Sequence, residues 1–133
     1  LIQGRGNLMI LLDYKDNRPL YEQVTEKLQE LMLLGVLEED SQMPSVRSMA
    51  MELTINPNTI QRAYSALERD GYLYTVKGRG SFVGSIMRLK ESKKKHLVNQ
   101  LGVLASQAVD LGIPREEFIQ LAGQEYDNGG LRV

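Results

Sequence analysis

The sequence contains no cysteine and a single histidine, His96. A disulfide framework and a thiolate metal site are therefore excluded, and a zinc centre would have almost no ligands. The longest apolar run, residues 8–12, is far too short to cross a bilayer. We therefore expect a soluble, cytoplasmic protein that has no membrane segment, binds no metal and uses no cofactor.

A catalytic set is also missing from the sequence pattern. The candidate nucleophiles Ser45, Ser81 and Ser85 have no plausible histidine–aspartate relay, because His96 falls outside the segments of Ser45 and Ser81 and about three helical turns beyond Ser85. The carboxylates are scattered, without the spacing that paired acid–base groups would show. We predict that the protein is not an enzyme.

Acidic and basic residues are unevenly distributed, although the net charge is only −1. Residues 1–40 carry 4 basic and 8 acidic side chains, and residues 96–133 carry 2 and 5. Residues 41–95 carry 10 basic and 4 acidic side chains, a local net charge of +6. Because salt screens charges beyond about 8 Å, this local excess decides which partners are attracted, and it favours an anionic one.

Two helices are predicted in the first half of the chain. The first begins at Pro19, because proline is tolerated in a first turn, and it stops at Gly35 after a series of leucines spaced by three and four residues. Ser45 is a suitable N-cap for a short second helix that reaches Leu53.

A third helix follows, with Asn56 as its cap, Pro57 at its first position and Gly71 at its end. At about 100° per residue, its apolar and polar residues fall on opposite faces. The predicted buried set is Ile60, Ala63, Tyr64 and Leu67, and the outward set is Asn58, Gln61, Arg62, Ser65 and Arg69.

The remaining chain predicts a hairpin and two further helices. Residues 72–76 are aromatic and β-branched, and residues 81–83 follow across a tip that contains glycine. A long helix then runs from about Ser85 to Leu111, and a shorter one comes after Pro114. This order predicts a mainly α fold, a winged helix-turn-helix domain followed by a two-helix tail.

We place the winged helix-turn-helix domain at residues 9–84 and the tail at residues 85–133. Met9 could be the natural start of the protein, so residues 1–8 are excluded from fold reasoning as an upstream extension or a cloning remnant.

Four stretches occur in order over residues 19–83: PLYEQV from Pro19, MPSVRSMA from Met43, NTIQRAY with LERDGY from Asn58, and GRGSFV from Gly78. Together they resemble the DNA-binding domain of GntR-type bacterial transcription regulators. Many members have glycine where Asp40 or Ser41 stands here. The short tail resembles that of the YtrA-like subgroup, in which two helices serve dimerisation.

By position, the resemblance implies DNA contacts at the second helix, the third helix and the wing: Ser45, Arg47, Asn56, Asn58, Thr59, Gln61, Arg62, Lys77, Arg79 and Gly80. Gln61 could pair with adenine and Arg62 with guanine in a major groove. Arg47 could neutralise a phosphate, with an ion pair to Glu52 or Glu68 as the alternative. A polar face that is merely solvated is the simplest alternative for the whole set.

The tail carries leucines at a spacing of 4-3-4-3, which is typical of a helix–helix seam. The candidate dimerisation residues are Leu97, Leu101, Leu104, Ala108, Leu111, Phe118 and Leu121. The alternative is that this seam packs on the last helix of its own chain. One helical hairpin buries little surface unaided, so a homodimer through the C-terminal helices is favoured.

These features predict a homodimeric, sequence-specific transcription regulator, most simply a repressor, that binds a palindromic operator in double-stranded DNA. One alternative is a winged-helix protein-interaction module without specific DNA binding. Another is a sensor of an unknown small-molecule effector, with the binding pocket at the dimer interface.

Overall fold

The computed structural model describes residues 12–13 and 15–129. The proposed start at Met9 and the excluded residues 1–8 lie outside them. Within the described residues the elements are α1 (Leu20–Leu33), α2 (Val46–Leu53), α3 (Pro57–Arg69), β1 (Leu73–Val76), β2 (Gly80–Val83), α4 (Ile86–Asp110) and α5 (Arg115–Asp127). The predicted mainly α fold with a small hairpin is confirmed. The chain divides into two compact units, the first ending at Glu91 and the second beginning at Ser92.

The starts of α2 and α3 follow the predicted capping residues, whereas α1 begins at Leu20, one residue after the predicted start at Pro19. The Ser45 hydroxyl accepts a hydrogen bond from the Ser48 N–H at 3.0 Å, which caps α2. The Asn56 side-chain oxygen accepts one from the Asn58 N–H at 2.8 Å, and Pro57 is the first residue of α3. These side chains satisfy N–H groups that have no partner inside the helix.

The core of the first unit lies among α1, α2 and α3. Its fully buried side chains include Val24 and Leu28 from α1, Met49 from α2, and Ile60 and Leu67 from α3. Burying a side chain of this size stabilises the fold by roughly 1.5–3 kcal/mol. Because α3 directs its apolar face into this core, its polar face is directed outward.

The wing is an antiparallel pair in which Leu73 lies opposite Val83 and Val76 lies opposite Gly80. At the tip the Arg79 N–H donates to the Val76 carbonyl at 2.9 Å. Of the two residues between them, the second, Gly78, has φ +78°. A turn of this kind requires a positive φ at its third residue, which glycine adopts without strain.

A third backbone segment extends this sheet, and the sequence did not predict it. The Asp40 N–H donates to the Val83 carbonyl at 2.8 Å, and the Met43 N–H donates to the Ser81 carbonyl at 2.8 Å. Gln42 lies opposite Phe82 in an isolated bridge. The loop that leads into α2 is therefore paired with the free edge of β2.

The start of α4 belongs to the first unit. The Ile86 N–H donates to the Glu39 carboxylate at 2.9 Å, and Leu89 is buried in the core. Just before this helix the chain passes so close to Gly71 that a Cβ atom on Gly84 would collide with the Gly71 carbonyl oxygen. Only glycine fits at position 84 without a backbone shift.

The second unit contains the rest of α4 and all of α5. Ala108 is buried, whereas none of the side chains of α5 is. Among the described residues, no helix combines the length and the apolarity needed to cross a membrane.

Candidate nucleic-acid interface

The outward face of α3 is built as the sequence predicted. Asn58, Gln61, Arg62, Ser65 and Arg69 are exposed, while the predicted buried set lies in the core. The Gln61 amide donates to the Ser65 hydroxyl at 3.2 Å. Thr59 is half-buried in the first turn. The face therefore offers amide, hydroxyl and guanidinium groups from the first three turns of the helix.

The two edges of this face lie beside different helices. Tyr64, next to Gln61 on the helix surface, donates its hydroxyl to the Pro44 carbonyl at 2.8 Å, just before α2. Burial, reinforced by the charge of Glu52, raises the pKa of the Tyr64 phenol. Arg62 lies about 100° further around α3. Its guanidinium carbon is 4.0 Å from the ring centroid of Tyr21 in α1.

The contact between Arg62 and Tyr21 could not be found by sequence reasoning. Nothing in the spacing of residues 19–24 indicates which side chain of α3 they meet, because the packing of α1 on α3 joins residues about 40 positions apart. The only available signal was the amphipathic character of both helices. Arg62, predicted to read a base, is therefore held at the α1 edge of the polar face.

The start of α2 presents Ser45 and Arg47. The Ser45 hydroxyl also donates to the Ser48 hydroxyl at 3.0 Å, so its hydrogen-bonding capacity serves the cap. Arg47 is exposed and takes part in none of the ion pairs found among the described residues. These ion pairs do not include Glu68, and the alternative partner Glu52 stays a prediction.

The wing tip presents exposed Lys77, Arg79 and Gly80. Its position is fixed by Gln42, whose amide donates to the Arg79 carbonyl at 2.7 Å. Because this bond uses the backbone of Arg79, the guanidinium remains available. The sequence pattern indicates no role for Gln42, since its partner lies 37 residues away along the chain.

Two aromatic residues stiffen the wing behind its tip. The rings of Tyr74 and Phe82 stack with centroids 5.7 Å apart. The Tyr74 hydroxyl donates to an Asp40 carboxylate oxygen at 2.9 Å, and this hydrogen bond raises the pKa of Tyr74. Asp40 itself has φ +66°. Aspartate tolerates this left-handed conformation better than most side chains.

Comparison with known proteins decides which family carries this arrangement. Residues 20–83 match the family model described as bacterial regulatory proteins, gntR family. The chain is 35% identical over 112 residues to the HTH-type transcriptional repressor YtrA of Bacillus subtilis (strain 168), and the match covers 83% of this chain and 86% of that protein. The chain belongs to the GntR family.

Solved structures agree with this assignment. A transcriptional regulator from Oenococcus oeni is similar with a TM-score of 0.75 and 27% identity, covering 87% of this chain and 98% of that one. The DNA-binding domain of AraR in complex with operator ORX1 is similar with a TM-score of 0.52 and 28% identity, covering 58% and 96%. The GntR chain described here is therefore a DNA-binding transcription regulator of the YtrA-like type, not an enzyme.

The second unit of this GntR chain exposes most of the predicted dimerisation residues. Leu97, Leu101, Leu104 and Leu111 are 49–76% exposed, and Leu121 is 42% exposed. Phe118 is half-buried and Ala108 is buried. Within this chain the seam is therefore covered at Ala108 and partly at Phe118, and most of its leucine side chains stay exposed.

Proposed function

We propose that the protein is a repressor that binds a palindromic operator as a homodimer, with one α3 in the major groove of each half-site. Residues 9–84 serve as the DNA-binding domain and residues 85–133 as the dimerisation tail. A regulator of bacterial genes would carry out this role in the cytoplasm. The polar face of α3 that begins at Asn56 is the observation on which the proposal depends.

Base reading is assigned to the first turns of α3. A helix fits the major groove, where glutamine pairs with two atoms of adenine and arginine with two of guanine. Gln61 and Arg62 are exposed at the two edges of the polar face. Asn58 and Thr59, in the first turn of the helix, are assigned to the sugar–phosphate backbone together with Asn56.

Phosphate contacts are assigned to the cations on both sides of α3. Arg47 lies in the first turn of α2, where the helix dipole gives a cation no stabilisation, so an anionic partner explains its position. Ser45 contributes indirectly, because it caps the helix start that carries Arg47. Lys77 and Arg79 lie at the slim wing tip that Gly80 completes, where they can reach the minor groove or its flanking phosphates.

Dimerisation is assigned to the exposed leucine seam of α4 and to the apolar residues of α5. An exposed seam of this length would be an aggregation liability in a monomer. A second copy of the chain would cover it with the same residues, as two-fold symmetry requires. Two-fold symmetry of the protein in turn predicts two half-sites in the operator.

The test is a titration against duplex DNA that the protein selects from a genomic fragment library, at several salt concentrations. Three phosphate-binding cations per protomer, or six per dimer, predict that log K falls with log salt with a slope of about −5. A scrambled duplex of the same length is the matched control and should bind more weakly. No affinity for any duplex at low salt would instead favour the protein-interaction module.

The small-molecule effector stays a prediction. A thermal-shift screen would detect it, because a ligand that binds only the folded state raises the melting temperature by mass action.

A further inference from the structure

The side chain of Arg62 rests on an aromatic ring from another helix. The distance of 4.0 Å from its guanidinium carbon to the Tyr21 centroid is well within the roughly 6 Å over which a cation is attracted to a ring face. The Tyr21 ring is itself half-buried and packs against the core of the first unit. The ring is therefore a fixed support for a side chain that would otherwise be flexible.

This support leaves the hydrogen-bonding groups of Arg62 available. Within the part of the chain that the structure describes, the contact with Tyr21 is the interaction that Arg62 makes, and no hydrogen bond or ion pair of its guanidinium is found. A guanidinium carries five N–H donors in a planar fork. Contact with a ring face occupies none of them, so the fork remains able to bind a pair of acceptors.

Holding the fork in place before DNA arrives lowers the cost of binding. A free arginine loses side-chain conformational entropy when it is fixed in a complex. A side chain that is already restricted in the free protein loses less. It also stays at the α1 edge of α3, so it can reach only a limited set of positions along the duplex.

We propose that Tyr21 is a positioning residue for base recognition, which holds the Arg62 guanidinium ready for the O6 and N7 acceptors of a guanine. This inference rests on the proposed function, because it requires α3 to enter a major groove. Tyr21 acts through Arg62 and makes no contact with the base itself.

The size of the effect follows from the strength of an exposed cation–π contact. Its loss should weaken binding about two- to fivefold per half-site, corresponding to about 0.5–1 kcal/mol. On an operator with two half-sites the expected loss is about five- to thirtyfold. The charge of the protein is unchanged, so the slope of log K against log salt should stay the same.

The experiment is a double-mutant cycle with Tyr21→Leu, Arg62→Ala and the double variant. Affinities are measured for the duplex that the unsubstituted protein selects from a randomised pool, and for duplexes in which each G·C pair is replaced in turn. We expect Tyr21→Leu to weaken binding in the presence of Arg62 and to have no effect in the Arg62→Ala background. Its loss of discrimination should be confined to one base pair per half-site.

Tyr21→Phe is the matched control, because it keeps the ring face and removes only the hydroxyl. It should bind within about twofold of the unsubstituted protein, since phenylalanine also supports a cation–π contact. Melting temperatures are measured for every variant. If Tyr21→Leu is unfolded at the assay temperature, Tyr21→Met replaces it, because a flexible methionine fills the same space more adaptably.

Three results would overturn this inference while leaving the proposed function intact. Tyr21→Leu could weaken binding equally in both backgrounds, which marks a general packing role, or its loss of affinity could be spread evenly over all base pairs. The third result is an equal loss of affinity for Tyr21→Phe and Tyr21→Leu. A protein that selects no duplex from the pool would overturn the proposed function, and this inference with it.

Discussion

Replacing Leu104 by glutamate should separate the dimer into monomers. Leu104 is 55% exposed in the chain by itself, and a fully buried leucine contributes roughly 1.5–3 kcal/mol. Covering the exposed half should contribute about 1 kcal/mol per copy, or about 2 kcal/mol for the symmetric pair. That loss corresponds to about a thirtyfold weaker dimer. Two facing carboxylates would weaken it further.

Sedimentation velocity over a range of protein concentrations measures the monomer–dimer equilibrium directly. The matched control is Ser106→Glu, which adds the same charge two residues further along α4. At about 100° per residue it lies on the opposite side of the helix from Leu104, where Ser106 is exposed. We expect the control to stay dimeric and to bind the operator normally, while Leu104→Glu loses about the same factor in operator affinity as in dimer affinity.

The seam assignment would be refuted if Leu104→Glu sedimented as the unsubstituted protein does, or if both variants dissociated equally. A monomeric unsubstituted protein that still binds the full operator with normal affinity would refute it as well.

Four further substitutions test the DNA-binding unit. Arg47→Ala should weaken binding to all duplexes alike and flatten the slope of log K against log salt by about one unit for each phosphate that is no longer neutralised. Gln61→Ala should instead relax the preference at one base pair per half-site. DNA titrations that are unchanged by the substitutions would contradict both assignments. Tyr64→Phe should lower the free energy of unfolding in urea by about 1 kcal/mol at neutral pH, since it removes a part-buried hydrogen bond. Because the pKa of Tyr64 is raised in the folded state, the stabilisation that this tyrosine provides is complete below its unfolded pKa of about 10 and falls as the pH rises above that value. A difference in unfolding free energy between the two proteins that stayed constant up to pH 11 would contradict this expectation. Gly84→Ala should lower the melting temperature measurably, because a Cβ atom at this position collides with the Gly71 carbonyl oxygen. An unchanged melting temperature would show that the backbone shifts at little cost.

The helices were predictable because their signals are local. Ser45, Asn56 and Pro57 mark helix starts through interactions that span at most three residues. The polar face of α3 follows from helical periodicity alone. The wing was predictable for the same reason, since its strands are neighbours in the sequence and its tip contains glycines.

Contacts between distant segments could not be predicted from one sequence. The pairing of residues 40–43 with β2 uses backbone groups, which leave no mark on side-chain identity. Its one visible sign is Asp40, whose φ of +66° is a conformation that glycine adopts more readily than other residues. Neither the Gln42 bond to the wing nor the Tyr21 contact with Arg62 has a local pattern.

The dimerisation seam could be predicted in part from the sequence. The spacing predicted which residues of α4 form one apolar face, but spacing alone cannot say whether the same chain covers that face. Only the structure shows that Leu97, Leu101 and Leu104 stay exposed while Ala108 is buried.

The pairing of residues 40–43 with β2 has a consequence for protein engineering. A designer who transplanted only residues 73–83 from a relative, in order to alter its contacts with the operator, would separate the hairpin from the strand-like segment that hydrogen bonds to it. The grafted hairpin would then contact Gln42 and Asp40 of the recipient chain instead of the loop residues of the protein from which it came. Chimaeras should therefore exchange both stretches together, and the exchange will also change the residues that lead into α2.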